Sequence, residues 1–244
     1  MSVDMNKPTT GIVMKLQNAI VFITGANRGL GRALAQAALA AGAAKVYAAA
    51  RDPASIDLPG VVPIALDVTD ARQVAEAAAR CPDVTLLVNN AGVSSSTPVL
   101  AVDAIDKARW HLETNVLGVW ALTQAFAPVL ATNGGGAVLN VLSALSWVTL
   151  PGTTPYSVSK SAAWALSNGL RQELKGQGTQ VTSLHVGYMD TDMTRGVQAP
   201  KSAPADVAAK ALAGVEAGAF EVLADEVSLR VKQSLSTAAP AYAA

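Results

Sequence analysis

The sequence predicts an α/β chain: a doubly wound parallel sheet with helices on both faces. Strand-like and helix-like segments alternate along its 244 residues without a linker-like break, which favours one domain over two small ones. The strand candidates are short, nearly continuous apolar runs, as expected where a sheet is covered on both sides. Hydrophobic residues make up 51% of the chain, enough to cover both faces. The catalytic domain is expected over residues 15–236, with a flexible tail at 1–14 and a loose one at 237–244.

The first strand is the run AIVFIT, residues 19–24. Gly25, Gly29 and Gly31 follow at the spacing G-x-x-x-G-x-G, and RALAQAALAAG then reads as an alanine-rich helix ending at Gly42. Further strands are expected near 45–50, 61–66, 84–88, 137–142, 180–185 and 220–223. Helices are expected near 70–80, 103–131, 155–175, 204–216 and 225–235. Thr154 reads as an N-cap with Pro155 in the first helical position, which puts Tyr156 in the first turn. The triplet Gly134–Gly136 reads as a turn before the fifth strand.

Two of these places carry chemistry. Glycines between a strand and a helix let the backbone turn sharply, and the free N–H groups of the new helix can face a pyrophosphate. A plain glycine turn is the alternative, and the spacing is not that of the commoner G-x-G-x-x-G loop. Tyr156 and Lys160 lie four apart, on one helix face. A phenol ionises near pH 10, and a neighbouring cation or a helix N-terminus favours the phenolate.

Taken together, TGANRGLG from Thr24, NNAG from Asn89, NVLG from Asn115, Ser143, and YSVSK from Tyr156 resemble the short-chain dehydrogenase/reductase family over about residues 15–235. The resemblance implies a Rossmann-like fold, a nicotinamide cofactor, and catalysis by Asn115, Ser143, Tyr156 and Lys160. In that scheme Ser143 holds the substrate carbonyl and Tyr156 exchanges the proton. Lys160 lowers the tyrosine's pKa and binds the cofactor ribose, and Asn115 holds a water. The cofactor loop carries over onto Gly25, Asn27, Arg28, Gly29 and Leu30. Asp67 and Val68 fall at the adenine positions, with an N-cap for the helix near Asp70 an equally physical role for Asp67. Asn90, Ala91 and Gly92 fall beside the ribose, while Asn89 reads as structural. Gly187, Met189 and Thr191 fall on the nicotinamide side. Here Val186 stands where the family usually has proline, which leaves the loop less constrained.

In this family an acidic residue commonly closes the second strand and binds the ribose of NAD. This strand closes on Ala50, followed by Arg51, which can pair with a phosphate. Arg28 can reach the same phosphate, so NADP(H) is favoured over NAD(H). Asp52 leaves two alternatives: it turns towards a ribose, or it pairs with a solvated Arg51. Leu145, Trp147, Tyr188 and Met193 are expected to line an apolar substrate pocket, although core or dimer contacts are the competing reading. Residues 194–203 form a short lid candidate.

The function expected is interconversion of a ketone or aldehyde and an alcohol, on hydrophobic substrates. A cofactor-sensing binding protein would need the glycine loop but not the catalytic set, and an isomerase or dehydratase of the same fold would not consume NADPH. Eighteen basic and eighteen acidic residues balance, so charge gives no reason to expect nucleic acid. No metal is expected, because His111 and His185 lack ligand partners at useful spacing and read as structural. The single cysteine, Cys81, excludes an internal disulfide and reads as structural. No apolar stretch reads as long enough for a bilayer and residues 1–14 lack a signal peptide's core, so a cytoplasmic location is expected. The family's habit implies a homodimer or homotetramer through the helices near 103–131 and 155–175, and Trp110, Trp120 and Trp164 fit core or subunit contacts.

Overall fold

The structure is a computed structural model that describes residues 14–243. Seven parallel strands form one sheet: β1 (Ile20–Thr24), β2 (Lys45–Ala50), β3 (Val62–Ala65), β4 (Leu86–Asn89), β5 (Ala137–Val141), β6 (Gln180–His185) and β7 (Glu221–Leu223). Their order is β3-β2-β1-β4-β5-β6-β7. The direction of winding reverses between β1 and β4, where ligands bind in open parallel sheets.

Alternation along the strands divides the core in two. Val21 and Ile23 face α1 (Gly29–Ala40) and α6 (Pro204–Glu216), which contribute Leu34 and Leu212. Phe22 faces the other side, with α2 (Ala71–Arg80), α4 (Gly118–Thr132) and α5 (Thr154–Glu173), which contribute Val74, Phe126 and Leu170. Phe22 and Phe126 meet with ring centroids 4.8 Å apart. Cys81 is fully buried on this side, and burial pushes its thiol up to about 11, so it packs as an inert apolar group.

The remaining helices are α3 (Ala104–Leu112) and α7 (Glu226–Ser234). A π-helical turn, Glu113–Leu117, joins α3 to α4 without a break. The continuous helix Ala104–Thr132 is therefore 29 residues long and, contrary to the expectation from sequence, long and apolar enough to cross a membrane by length and composition. It is a core helix here: its Leu122, Phe126 and Leu130 lie buried against the sheet.

Three local expectations change. Helix α5 starts one residue early, so Thr153 precedes it and Pro155 takes its second position. Thr153 does not cap; its hydroxyl bonds both main-chain groups of Leu150 instead. Residues 1–13 of the expected tail lie outside the described residues, but Met14 is buried in the core. At the other end, Ala241–Ala243 form a short turn, and the Ala241 N–H donates to Ser234 Oγ at 3.1 Å.

Phe126 fills the space between sheet and helix layer completely. Phe126→Ala should lower unfolding free energy by about 3–5 kcal/mol, read as a lower urea midpoint with an unchanged slope.

Candidate active site

The crevice begins where β1 ends. Thr24 Oγ1 accepts the N–H groups of Asn90 (3.0 Å) and Ala91 (2.9 Å), tying the end of β4 to the glycine loop. The Asn90 side chain completes the tie by donating to the carbonyls of Thr24 and Gly25. Gly25 and Gly29 take positive φ, and a Cβ on Gly31 would lie 2.1 Å from the Gly25 carbonyl oxygen. Only glycine permits this close turn. Helix α1 then begins after Arg28 with no side-chain cap and no acid in its first turn. Its free N–H groups and positive dipole end suit an anion.

These residues fit a dinucleotide, with two refinements. Leu30 is buried in the core, so only its main chain faces the crevice. Asn27 is engaged with Ser55 Oγ at 3.1 Å.

At the end of β2, Arg51 is exposed, with no carboxylate in ion-pair range among the described residues. Asp52 neither pairs with it nor turns inward; its carboxylate accepts the Ala54 N–H and caps a short turn. Arg28 instead pairs with Asp192 at 3.6 Å, both side chains largely exposed. Beside β3, Asp67 accepts the N–H and hydroxyl of Thr69, and Asp70, not Asp67, caps α2. Val68 is buried in the core nearby.

The four candidate catalytic residues converge at the carboxyl edge of β4 and β5. Ser143, just past β5, accepts the Leu145 N–H at 3.1 Å and donates a long bond to the Val186 carbonyl at 3.4 Å. Lys160 is 6% exposed, and its ammonium donates to the Val141 carbonyl at 2.9 Å. It stands 5.7 Å from the centroid of the half-buried Tyr156 ring. Burial pulls Lys160 down to about 8 and pushes Tyr156 up to about 12, with the nearby Ser143 hydroxyl opposing the second shift. In the side chains alone, burial, not the cation, sets the direction of the Tyr156 shift.

Asn115 is buried in the π-helical turn, a widened turn common at functional sites. Its amide accepts the Val93 N–H and donates to the Val93 carbonyl and to Ser159 Oγ. With both donors used, the side chain positions the loop after β4, and a water there would need the spare lone pair of Oδ1 or the main chain. Gly92 completes the group, since a Cβ there would lie 3.2 Å from Asn115 Oδ1 and 3.8 Å from Lys160 Nζ. His111 packs edge-on to Tyr156 at 5.9 Å, accepting the Ser95 N–H and bonding the Lys107 carbonyl.

After β6 the loop is fastened from outside. Gly187 donates its N–H to Asp225 Oδ2 at 2.7 Å, while Asp225 also caps α7. This contact offsets the rigidity that Val186 lacks in place of proline. The sequence reading missed Asp225; its D-x-x-S spacing to Ser228 is the signal that marks a capping box. The Met189 carbonyl accepts from the Thr194 hydroxyl, and Thr191 lies over Gly29. Ser202 pairs with the main chain of Tyr188 and Asp190, closing the lid candidate into a loop. Among the expected pocket residues, Leu145 and Tyr188 are half-buried and Met193 is 57% exposed. The Trp147 ring stacks on His185 at 3.9 Å and carries Lys232 on its face at 4.7 Å.

Comparison with known proteins places these features in context. The sequence model described as short chain dehydrogenase matches residues 19–202. Sulfoacetaldehyde reductase of Chromohalobacter salexigens is 37% identical over 188 residues, covering 71% of this chain and 74% of the relative. Galactitol 2-dehydrogenase (L-tagatose-forming) of Cereibacter sphaeroides is 34% identical over 195 residues, covering 75% and 76%. A short chain dehydrogenase from Burkholderia cenocepacia, solved in complex with NADP, superposes with a TM-score of 0.89 at 40% identity, covering 92% of this chain and 95% of that one.

The opposed shifts of Lys160 and Tyr156 make stability depend on pH. Between about 8 and 10.5 the unfolded chain keeps a lysine proton that the folded protein has lost, so Lys160 makes stability rise with pH there. Tyr156 and Cys81 are raised and act in the opposite sense, which the difference between variants removes. Without cofactor, the stability of wild type relative to Lys160→Met should improve by about 3 kcal/mol across that window. A flat difference would contradict the burial of a charged Lys160.

Proposed function

Since the chain belongs to the short-chain dehydrogenase/reductase family of oxidoreductases, we propose that it interconverts a ketone or aldehyde and an alcohol with NADP(H), using Tyr156 as the acid/base. The observation that carries this reading is the convergence of Ser143, Tyr156 and Lys160 beside Gly92, next to the uncapped start of α1. A protein that only sensed the cofactor would need the second feature and not the first.

A nicotinamide dinucleotide, when bound, supplies or accepts the hydride. Gly25, Arg28, Gly29 and the main chain at Leu30 would hold its pyrophosphate, with Asp67 and Val68 near the adenine and Asn90 to Gly92 near the ribose. Gly187, Met189 and Thr191 would flank the nicotinamide. Ser143 needs only to turn from its long bond to Val186 to donate to a substrate carbonyl. Tyr156, held neutral by burial, is in the form that donates a proton to the carbonyl oxygen during reduction. Oxidation needs the phenolate, and the Lys160 charge is the group placed to favour it. The ammonium has donors to spare beyond Val141, and these suit a ribose hydroxyl.

Arg51 supports NADP(H): a guanidinium without a carboxylate partner is available to a phosphate. The Burkholderia cenocepacia relative in complex with NADP is consistent with this. Leu145, Tyr188 and Met193 carry no fixed charge, which suits hydrophobic carbonyl compounds. The apolar groove on α4 and α5, with Trp120, Ala162 and Leu166, suits a homodimer or homotetramer contact.

A panel of ketones and aldehydes that includes para-nitrobenzaldehyde, followed by NADPH oxidation, tests the activity. Tyr156→Phe should lower turnover at least ~10²-fold with NADPH binding nearly unchanged, and appreciable activity would overturn the assignment. Turnover should be more efficient with NADPH than with NADH, and Arg51→Ala should narrow that gap; equal efficiency in wild type would reject the phosphate role of Arg51.

A further inference from the structure

His185 lies at the end of β6, fully buried. Its Nδ1 stands 3.1 Å from the Ser143 carbonyl oxygen. A carbonyl can only accept, so Nδ1 carries the hydrogen and Nε2 the lone pair. Among the described residues Nε2 has no hydrogen-bond partner, and Glu221 Oε1, another acceptor, is 3.7 Å away. That carboxylate is already engaged by Trp164 Nε1 at 3.0 Å and Lys232 Nζ at 2.7 Å. Trp147 covers the ring face, nearly parallel to it. An imidazole with one nitrogen unsatisfied is costly to bury, and apolar packing alone would be better served by leucine.

The bond it makes falls on a critical turn. The Ser143 carbonyl also accepts the Ser146 N–H at 3.0 Å, which closes the short turn whose Leu145 N–H bonds Ser143 Oγ. The main chain at Ser143 is thus held from both sides, and its side chain is aimed accordingly.

We infer that His185 is a positioning residue for the reaction: through the main-chain carbonyl of Ser143 it fixes where the Ser143 hydroxyl meets the substrate carbonyl. The inference rests on the proposed role of Ser143. The Ser143 carbonyl sets the tautomer, and Trp147, stacked on the ring, fixes its plane.

Side-chain geometry supplies the test. Asparagine places an N–H donor at the same number of bonds from the backbone as Nδ1, glutamine places it one bond further, and leucine has none. With para-nitrobenzaldehyde and NADPH, His185→Leu and His185→Gln should lower kcat about 10- to 100-fold with the NADPH Kd unchanged. His185→Asn should recover most of that loss. Equal loss in all three variants, no loss in His185→Leu, or a parallel loss of NADPH binding would overturn the inference. Added to Ser143→Ala, His185→Leu should cost little more, because both act through one hydroxyl. A full additional loss would overturn the inference while leaving the role of Ser143 intact. Unchanged turnover in Ser143→Ala alone would instead overturn the proposed function. Independently of activity, nitrogen NMR of the imidazole should show the Nδ1–H tautomer throughout about pH 5 to 9, facing Glu221 with Lys232 and Lys160 nearby. An Nε2–H or titrating ring would contradict the assignment.

Discussion

Placing the Lys160 ammonium inside the fold constrains the site more than any other interaction. Taking such a charge out of water costs several kcal/mol, and the protein returns one main-chain acceptor, the Val141 carbonyl. The surroundings are arranged to accommodate it. Gly92 omits the Cβ that would press on Asn115 Oδ1, and the π-helical turn brings Asn115 in to fasten Val93 beside it. The same dry environment moves Lys160 down and Tyr156 up, so the two are neutralised from opposite directions. Groups whose environments separate their titrations in this way are suited to handing protons over.

The parallel sheet explains why the chemistry is confined to one edge. At the carboxyl ends of the strands and just beyond them, β1, β4, β5 and β6 deliver Thr24, Asn90, Ser143 and His185. The last part of the chain acts from behind. Asp225, the N-cap of α7, holds Gly187 in the loop after β6, and Lys232 of α7 lies over the ring of Trp147 after β5. This segment thereby helps to hold the loops that carry the reacting groups.

Much of this was legible in the sequence. All seven strands fall near their expected positions; a doubly covered strand such as AIVFIT is recognised by its nearly continuous apolar run. The helix expected at 204–216 has those limits because Pro204 starts it. The family signatures located the glycine loop and the four catalytic candidates. What sequence could not supply depends on distance in space. The π-helical turn at 113–117 is read from geometry alone. The direction of the Tyr156 shift depends on how much water the fold removes, which a Y-x-x-x-K spacing does not record. The partners of Trp147, His185 and Lys232, come from segments 38 and 85 positions away, beyond any local pattern. His185 read as structural because its one informative contact is with a main-chain carbonyl, to which no side-chain pattern points.

The central claim is that the Ser143–Tyr156–Lys160 group serves direct hydride exchange between a nicotinamide cofactor and a carbonyl carbon. Mass spectrometry of the alcohol formed from para-nitrobenzaldehyde, with NADPH deuterated at each face of the transferable position in turn, measures that exchange directly. The account predicts one deuterium on the carbinol carbon from one of the two labelled forms and none from the other. An alcohol that forms without deuterium from either label would contradict it.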